Sequence, residues 1–285
     1  MTLSGNNSGI DDVGGIQTLT IGDQTIQGVG NIGRNSIEVI NNGTILANDT
    51  TAPLTIDVAG TDFENDGTLQ VANGATLEVI ADLIGSSTAT LAGDGTITAT
   101  GGDIQHLGLI APGDDSAGSL VLDANVALGP AAEIRIEIGG ASEGQFDVLT
   151  VNDNLTLDGL LTLVIIDEFV PDEDDTIEII LSPSPLGGSF ANIVAGDTLL
   201  TADGSGQFTV NFGPGNSVVL SDFSVNTVAH GDVNLDGVLD FLDISPFIVI
   251  LATGGFQEEA DCDGNGVVDF LDISPFVVAL SLSGS

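Results

Sequence analysis

The sequence has almost no positive charge. Two arginines, Arg34 and Arg135, stand against 42 acidic side chains, for a formal net charge of −40. Neutralising a phosphate backbone takes a stripe of basic side chains, so a nucleic-acid-binding surface is excluded. An anionic membrane surface is excluded as a partner for the same reason. Cysteine is nearly absent too: Cys262 alone can form neither an intrachain disulfide nor a cysteine-rich zinc site. Tryptophan and tyrosine are missing, which removes the aromatic faces on which sugar-binding clefts lean. No apolar run reaches the length of about 18 residues that suggests a membrane-spanning helix. The opening MTLSGNNSGIDDVGG has neither the basic stretch nor the apolar core of a secretory signal. The later segments read as extracellular, so the expectation is that the true N-terminus lies upstream.

What is present is apolar and glycine-rich. Hydrophobic residues make up 42% and glycines number 39, so the chain can bury a core and is not a disordered acidic tail. Up to about residue 222, short Val/Ile/Leu/Thr runs are broken by Gly, Asn and Asp. NNGTILA (41–47) is echoed by NDGTLQVA (65–72), GATLEVI (74–80) and GDGTITA (93–99). Within the echoes, Leu69 and Val71 alternate with Thr68 and Gln70, the two-residue period of a strand. Strand-plus-turn units at a loose period of 20–30 residues predict a solenoid whose rungs stack over a continuous core. Ile45, Leu69, Leu77 and Ile97 should then point inward. An antiparallel sandwich is the competing architecture.

NNGTILA, NDGTLQVANGATLEV, GDGTITATGGDI, GLIAPGDDSAGSLVL and IEIGGASEGQFDVLTV resemble the glycine-rich repeats of bacterial autotransporter-type adhesin passengers and planctomycete-type surface proteins. The likeness covers about residues 30–165. It implies a right-handed parallel β-helix on an exported or surface-displayed protein, and it carries no catalytic residues. The division read from the chain is β-helix repeats over 1–128, a β-rich tail or cap over 129–222, and a separate unit over 223–285.

That last unit holds a segment present twice. Asp232-Val-Asn234-Leu-Asp236-Gly237-Val238-Leu-Asp240-Phe-Leu-Asp243 is matched 29 residues later by Asp261-Cys-Asp263-Gly-Asn265-Gly266-Val267-Val-Asp269-Phe-Leu-Asp272, and DFLDISPF recurs unchanged at 240–247 and 269–276. Each copy has oxygen-bearing side chains at loop positions 1, 3, 5, 9 and 12 and glycine at 6. A hard cation such as Ca²⁺ needs this set: several oxygens, a backbone carbonyl at position 7, and a sharp turn. Two tandem loop-then-helix repeats opening GDVNLDG resemble a type I dockerin, a module that docks proteins onto cohesins. The resemblance covers about 230–282. It implies calcium ligation by Asp232, Asn234, Asp236, Val238, Asp240 and Asp243, and by Asp261, Asp263, Asn265, Val267, Asp269 and Asp272, for two ions in all. Asp stands at position 12, where ordinary EF-hands carry Glu.

At 3.6 residues per turn, Ile244, Phe247, Ile248 and Leu251 share a helical face, as do Ile273, Phe276, Val277 and Leu280; these faces are expected to pair as the module's core. A second apolar stripe, Leu242, Pro246 and Val249 with Leu271, Pro275 and Val278, then either docks a partner or packs on the end of the β-region. Dockerins typically carry small or hydroxyl-bearing residues at loop positions 10 and 11. Here Phe-Leu stands in both copies, which points away from an ordinary cohesin.

The weaker candidates are His106, His230, Cys262 and Arg135. The two histidines lie far from each other and from Cys262 in sequence, which supports neither zinc nor a Cys–His dyad. Cys262, if exposed, is available for an intermolecular disulfide. Arg135 shares a strand face with Glu133 and Glu137 and reads as a surface ion pair. The resulting functional expectation is a non-catalytic extracellular or cell-surface protein: a β-helical stalk with a calcium-binding docking module for a cohesin-like or other surface protein. The alternative is a polysaccharide-degrading glycosidase or lyase on the β-helix, tethered by the same module. With 42 acids, carboxylate pairs arise by chance and no pair counts as evidence for it.

Overall fold

The computed structural model describes residues 1–5, 8–11, 14, 17–212, 216–225, 231–236 and 238–283, the last three by backbone only. Through residue 188 the chain is a β-solenoid. Strands of two to six residues follow one another in threes, and each lies parallel to the strand one coil earlier on its own face. The faces hold 8, 11 and 8 strands. The sandwich is not observed: antiparallel pairing is confined mainly to the C-terminal cap.

Alternation builds this architecture. In Thr68–Val71, Leu69 and Val71 are buried while Thr68 and Gln70 are half-buried on the outside. The inward position repeats coil after coil: Ile26, Ile45, Leu69, Leu91, Ile110 and Ile134 stack on one face. Leu77, Ile97 and Leu122 do so on the second, and Phe63, Leu83 and Ile104 on the third. All four residues expected to point inward, Ile45, Leu69, Leu77 and Ile97, are fully buried. Each such side chain contributes about 1.5–3 kcal/mol by leaving water.

The echoed Gly-Thr phrases do not share one face. Gly43-Thr44 and Gly67-Thr68 stack directly, but Gly95-Thr96 lies on the next face, where Thr96 pairs with Thr76. What the phrases share is a tight corner. A Cβ on Gly67 would lie 2.2 Å from the Gly43 carbonyl oxygen, and one on Gly95 would lie 2.6 Å from the Ala72 and Ala75 oxygens. The echo therefore marks close backbone approach. Asparagines complete one corner: buried Asn41 donates to Asn65 Oδ1 at 2.7 Å and accepts from Gly43 N, while Asn65 donates to Gly67 O.

The ladder runs past residue 128 without a break, so the fading of the repeated phrase marks no change of architecture. Ile177–Leu181 then pairs antiparallel with Ser217–Val225, followed by Gly206–Phe212 and the edge strand Thr198–Leu200. Phe208 and Phe223 meet at 4.8 Å beneath this cap.

Helices α1 (Ile244–Thr253) and α2 (Ile273–Ser283) belong to the C-terminal unit, which has its own small core. Phe247 and Phe276 stack at 4.2 Å with nearly parallel rings. Val233, Ala260, Cys262 and Val268 are buried beside them, with Ile244, Leu251 and Leu280 packed against the cluster. Ile248 and Val277 do not join it, and neither does Ile273, which is 38% exposed. The first two are the most exposed, at 55% each, because the stacked rings already occupy the space between the repeats. No helix among the described residues is long and apolar enough to cross a membrane.

Candidate metal centre

The two loops preceding α1 and α2 share most of their backbone hydrogen bonds. The position-12 carboxylate turns back over its own loop: Asp243 accepts from Asn234 N and Asp240 N, and Asp272 accepts from Asp263 N and Asp269 N, at 2.8–3.0 Å. The position-1 carboxylate reaches forward: Asp232 accepts from Asp236 N, and Asp261 from Asn265 N and Gly266 N. Positions 3 and 5 close successive turns, Asn234 onto Asp236 N and Asp236 onto Val238 N, matched by Asp263 onto Asn265 N and Asn265 onto Val267 N. Position 9 closes the next turn, Asp240 accepting from Leu242 N and Asp269 from Leu271 N, and Asp269 thereby caps the 3-10 turn Phe270–Asp272 that precedes α2. Asp269 and Asp272 form a reciprocal capping box.

The backbone repeats as well. Position 4 has positive φ in both loops, at Leu235 (62°) and Gly264 (71°), and Gly266 at position 6 has φ 83°. Gly237, its counterpart, lies outside the described residues, as does His230. The exposed Val238 and Val267 hold position 7.

These bonds draw the side chains together. Asp261, Asp263 and Asp272 each place a carboxylate oxygen within 4.8 Å of the other two. Burial holds Asp263 above the usual carboxylate range, with the charges of Asp272 and Asp261 adding to it. Asp243 and Asp272 are completely buried, and Asp232 and Asp261 nearly so. Residues 231–283 contain ten acids and no Lys, Arg or His.

The remaining candidates fall outside this centre. Cys262 is not exposed: its thiol donates to Glu259 O, and burial pushes it up to about 12, the acids around it adding to the shift. That removes it as a disulfide or nucleophile. His106 is buried inside the solenoid, bonded through Nε2 to Leu109 O, and burial lowers its pKa to about 4. Arg135 pairs with Glu137 at 3.7 Å, but the pair is not on the open surface, since Glu137 is buried. Next to it lies a group that the sequence did not reveal. Asp147 is buried, accepts from Gly118 N and Glu137 N at 2.8 Å, and is pushed up by burial to about 7. It clasps the 113–118 loop to the rung at Glu137; with both oxygens committed to backbone, it has no reach toward a glycan.

The stripe residues Leu242, Val249, Leu271 and Val278 are exposed, and Pro246 and Pro275 are partly so. Beside them stand Phe241 and Phe270, 79% and 80% exposed. The stripe therefore does not pack on the end of the β-region. No family model, curated protein or solved structure matches the chain.

Proposed function

We propose that the chain is a non-catalytic extracellular or cell-surface protein in which the solenoid is a stalk and residues 223–285 form a dockerin-type module that binds two calcium ions and docks onto a partner protein. One observation carries the calcium reading. Asp243 and Asp272 are fully buried acids in a segment with no basic residue. Buried carboxylates are paired with a cation or coordinate a metal, because desolvating an unpaired one is prohibitive. The two arginines are engaged elsewhere, Arg34 with Asp11 and Arg135 with Glu137.

Hard oxygen donors suit calcium. Asp232, Asn234, Asp236, Asp240 and Asp243 would hold one ion and Asp261, Asp263, Asn265, Asp269 and Asp272 the other, with carbonyls of Val238 and Val267 completing the sets. Extracellular calcium modules bind at about 10⁻⁴–10⁻³ M, which fits display outside the cell.

Docking is supported by the exposed apolar stripe beside each loop. Its bulk at positions 10 and 11 favours an apolar partner face, on a cohesin-like or other surface protein. The test is capture of partners from a surface extract of the source cell by the isolated module, with calcium and with chelator. Calorimetry should register two ions, and replacing Leu242, Val249, Leu271 and Val278 with serine should abolish capture in the folded, calcium-loaded module. Equal capture by that variant, or capture unaffected by chelator, would refute the reading.

A further inference from the structure

The two loops differ at positions 2, 3, 4, 5 and 8, and at position 4 they meet different surroundings. Leu235 in loop 1 is exposed, 63% of its surface in contact with solvent. Gly264 in loop 2 is exposed as well but borders the solenoid's cap: a Cβ there would sit 2.9 Å from Leu200 Cδ1, at the end of the edge strand Thr198–Leu200. Two residues back, the Cys262 carbonyl oxygen approaches Gly204, where a Cβ would stand 3.5 Å away.

The cap side of this contact is held firm. In the turn after Leu200, Thr201 Oγ1 donates to Asp203 Oδ1 at 2.6 Å, which also accepts from Ser205 N and Ser205 Oγ, and Gly204 N donates to Thr201 O. The loop side is held by the residues that flank Gly264. Asp263 and Asn265 are loop ligands under the calcium reading, and Asp261, Asp263 and Asp272 crowd three like charges within 4.8 Å. Without a cation their repulsion opens the loop, and Gly264 moves with it.

We propose that the ion in loop 2 governs the joint between module and stalk: calcium closes the loop and seats Gly264 and Cys262 on Leu200 and Gly204, while its loss releases the module from the cap. Loop 1 carries equivalent ligands and points its fourth residue at solvent, so it binds calcium without governing the joint. This rests on the calcium reading above and adds a mechanical consequence to it.

Hydrogen exchange on the full chain tests it, because residues 198–206 contain no proposed calcium ligand and border loop 2 at Leu200 and Gly204. Adding calcium to the chelator-treated chain should slow exchange across 198–206 several-fold. In Leu200→Asp, a carboxylate replaces the contacted methyl; that slowing should vanish while calorimetry still registers two ions. Two ions bound with unchanged exchange at 198–206 would overturn the joint and leave the calcium reading standing. Equal protection in Leu200→Asp and the parent would overturn the contact itself. Failure to bind calcium would overturn both proposals together.

Discussion

The solenoid and the C-terminal module spend their apolar residues in opposite ways. Along the solenoid, each inward Ile or Leu is covered by its counterparts one coil away, and most are fully buried. The module has a core of six buried residues around one pair of stacked rings. Yet thirteen of the twenty exposed large apolar side chains among the described residues lie in 231–283. Both helices are free of charged residues. A unit that exposes so much apolar surface and encloses so little must obtain stability elsewhere, since a core of this size is marginal at about 60 residues. Its ten acids, with no Lys, Arg or His among residues 231–283, add mutual repulsion to that deficit. The contrast is between a solenoid stabilised by burial and a module that, on the calcium proposal, is stabilised by ligation.

Removing calcium should break the comparison most sharply. Ligation to a site that the unfolded chain lacks is folding free energy. Excess chelator is therefore expected to abolish the helical circular dichroism of 231–283 while the β signal of the solenoid persists. On heating, the chain should show two transitions with calcium and only the solenoid's without it. A helical signal unchanged by chelator would show that the small core suffices by itself.

The solenoid has an electrostatic weakness of its own at Asp147, with the opposite logic. The cause there is burial of the carboxyl itself. Burial raises Asp147 from its ordinary 3.8 to about 7, opposed by the N–H groups of Glu137 and Gly118 and reinforced by the charge of Glu137. A folded pKa above the unfolded one means that the stabilisation is complete below about pH 4 and is lost as pH rises through about 7. Glu137 and Asp114 are raised as well, chiefly by burial, so they act in the same direction. The solenoid's denaturation midpoint should fall between pH 5 and pH 8, and Asp147→Asn should flatten that slope while lowering the midpoint at acid pH. An equally steep slope in the variant would place the titration elsewhere.

Much of this division is legible in the sequence. Alternation around Leu69 and Val71 reveals strands, and the echo reveals stacking, because both are local patterns. The face assignment was not legible: Gly43, Gly67 and Gly95 look alike in sequence, yet they repeat a steric demand at corners of different faces. Nor was the Asn41–Asn65 pairing, since an asparagine two residues before a glycine reads as an exposed turn until the next coil covers it. In the module the duplicated loop could be read residue by residue, as its hydrogen bonds are short-range. Helical periodicity placed Phe247 and Phe276 correctly but also sent Ile248 and Val277 inward. A wheel gives direction, whereas burial depends on how much partner surface exists, and here two stacked rings fill it. Asp147 escaped notice because its partners, Gly118 and Glu137, are 29 and 10 residues away.

The smallest expected effect is the finest test of the contrast, because it makes the same substitution in both regions. Leu69 is fully buried between Ile45 and Leu91 of the adjacent coils. Leu69→Ser would leave a cavity and place a hydroxyl inside it, costing at least the ~2–5 kcal/mol of a large-to-small core change. Leu242 has two thirds of its surface in solvent, and its backbone N–H, not its side chain, makes the local bond to Asp240. Leu242→Ser should therefore leave the module's calcium-loaded stability within about 0.5 kcal/mol of the parent, as surface changes usually do. Denaturant titration of the full chain with calcium, following each region by hydrogen exchange, separates the two values. A loss at Leu242 comparable to that at Leu69 would mean that the stripe is covered in solution by another surface of the same protein. It would then be structural rather than a docking face, and the assignment of exposed apolar surface to partner binding would fall.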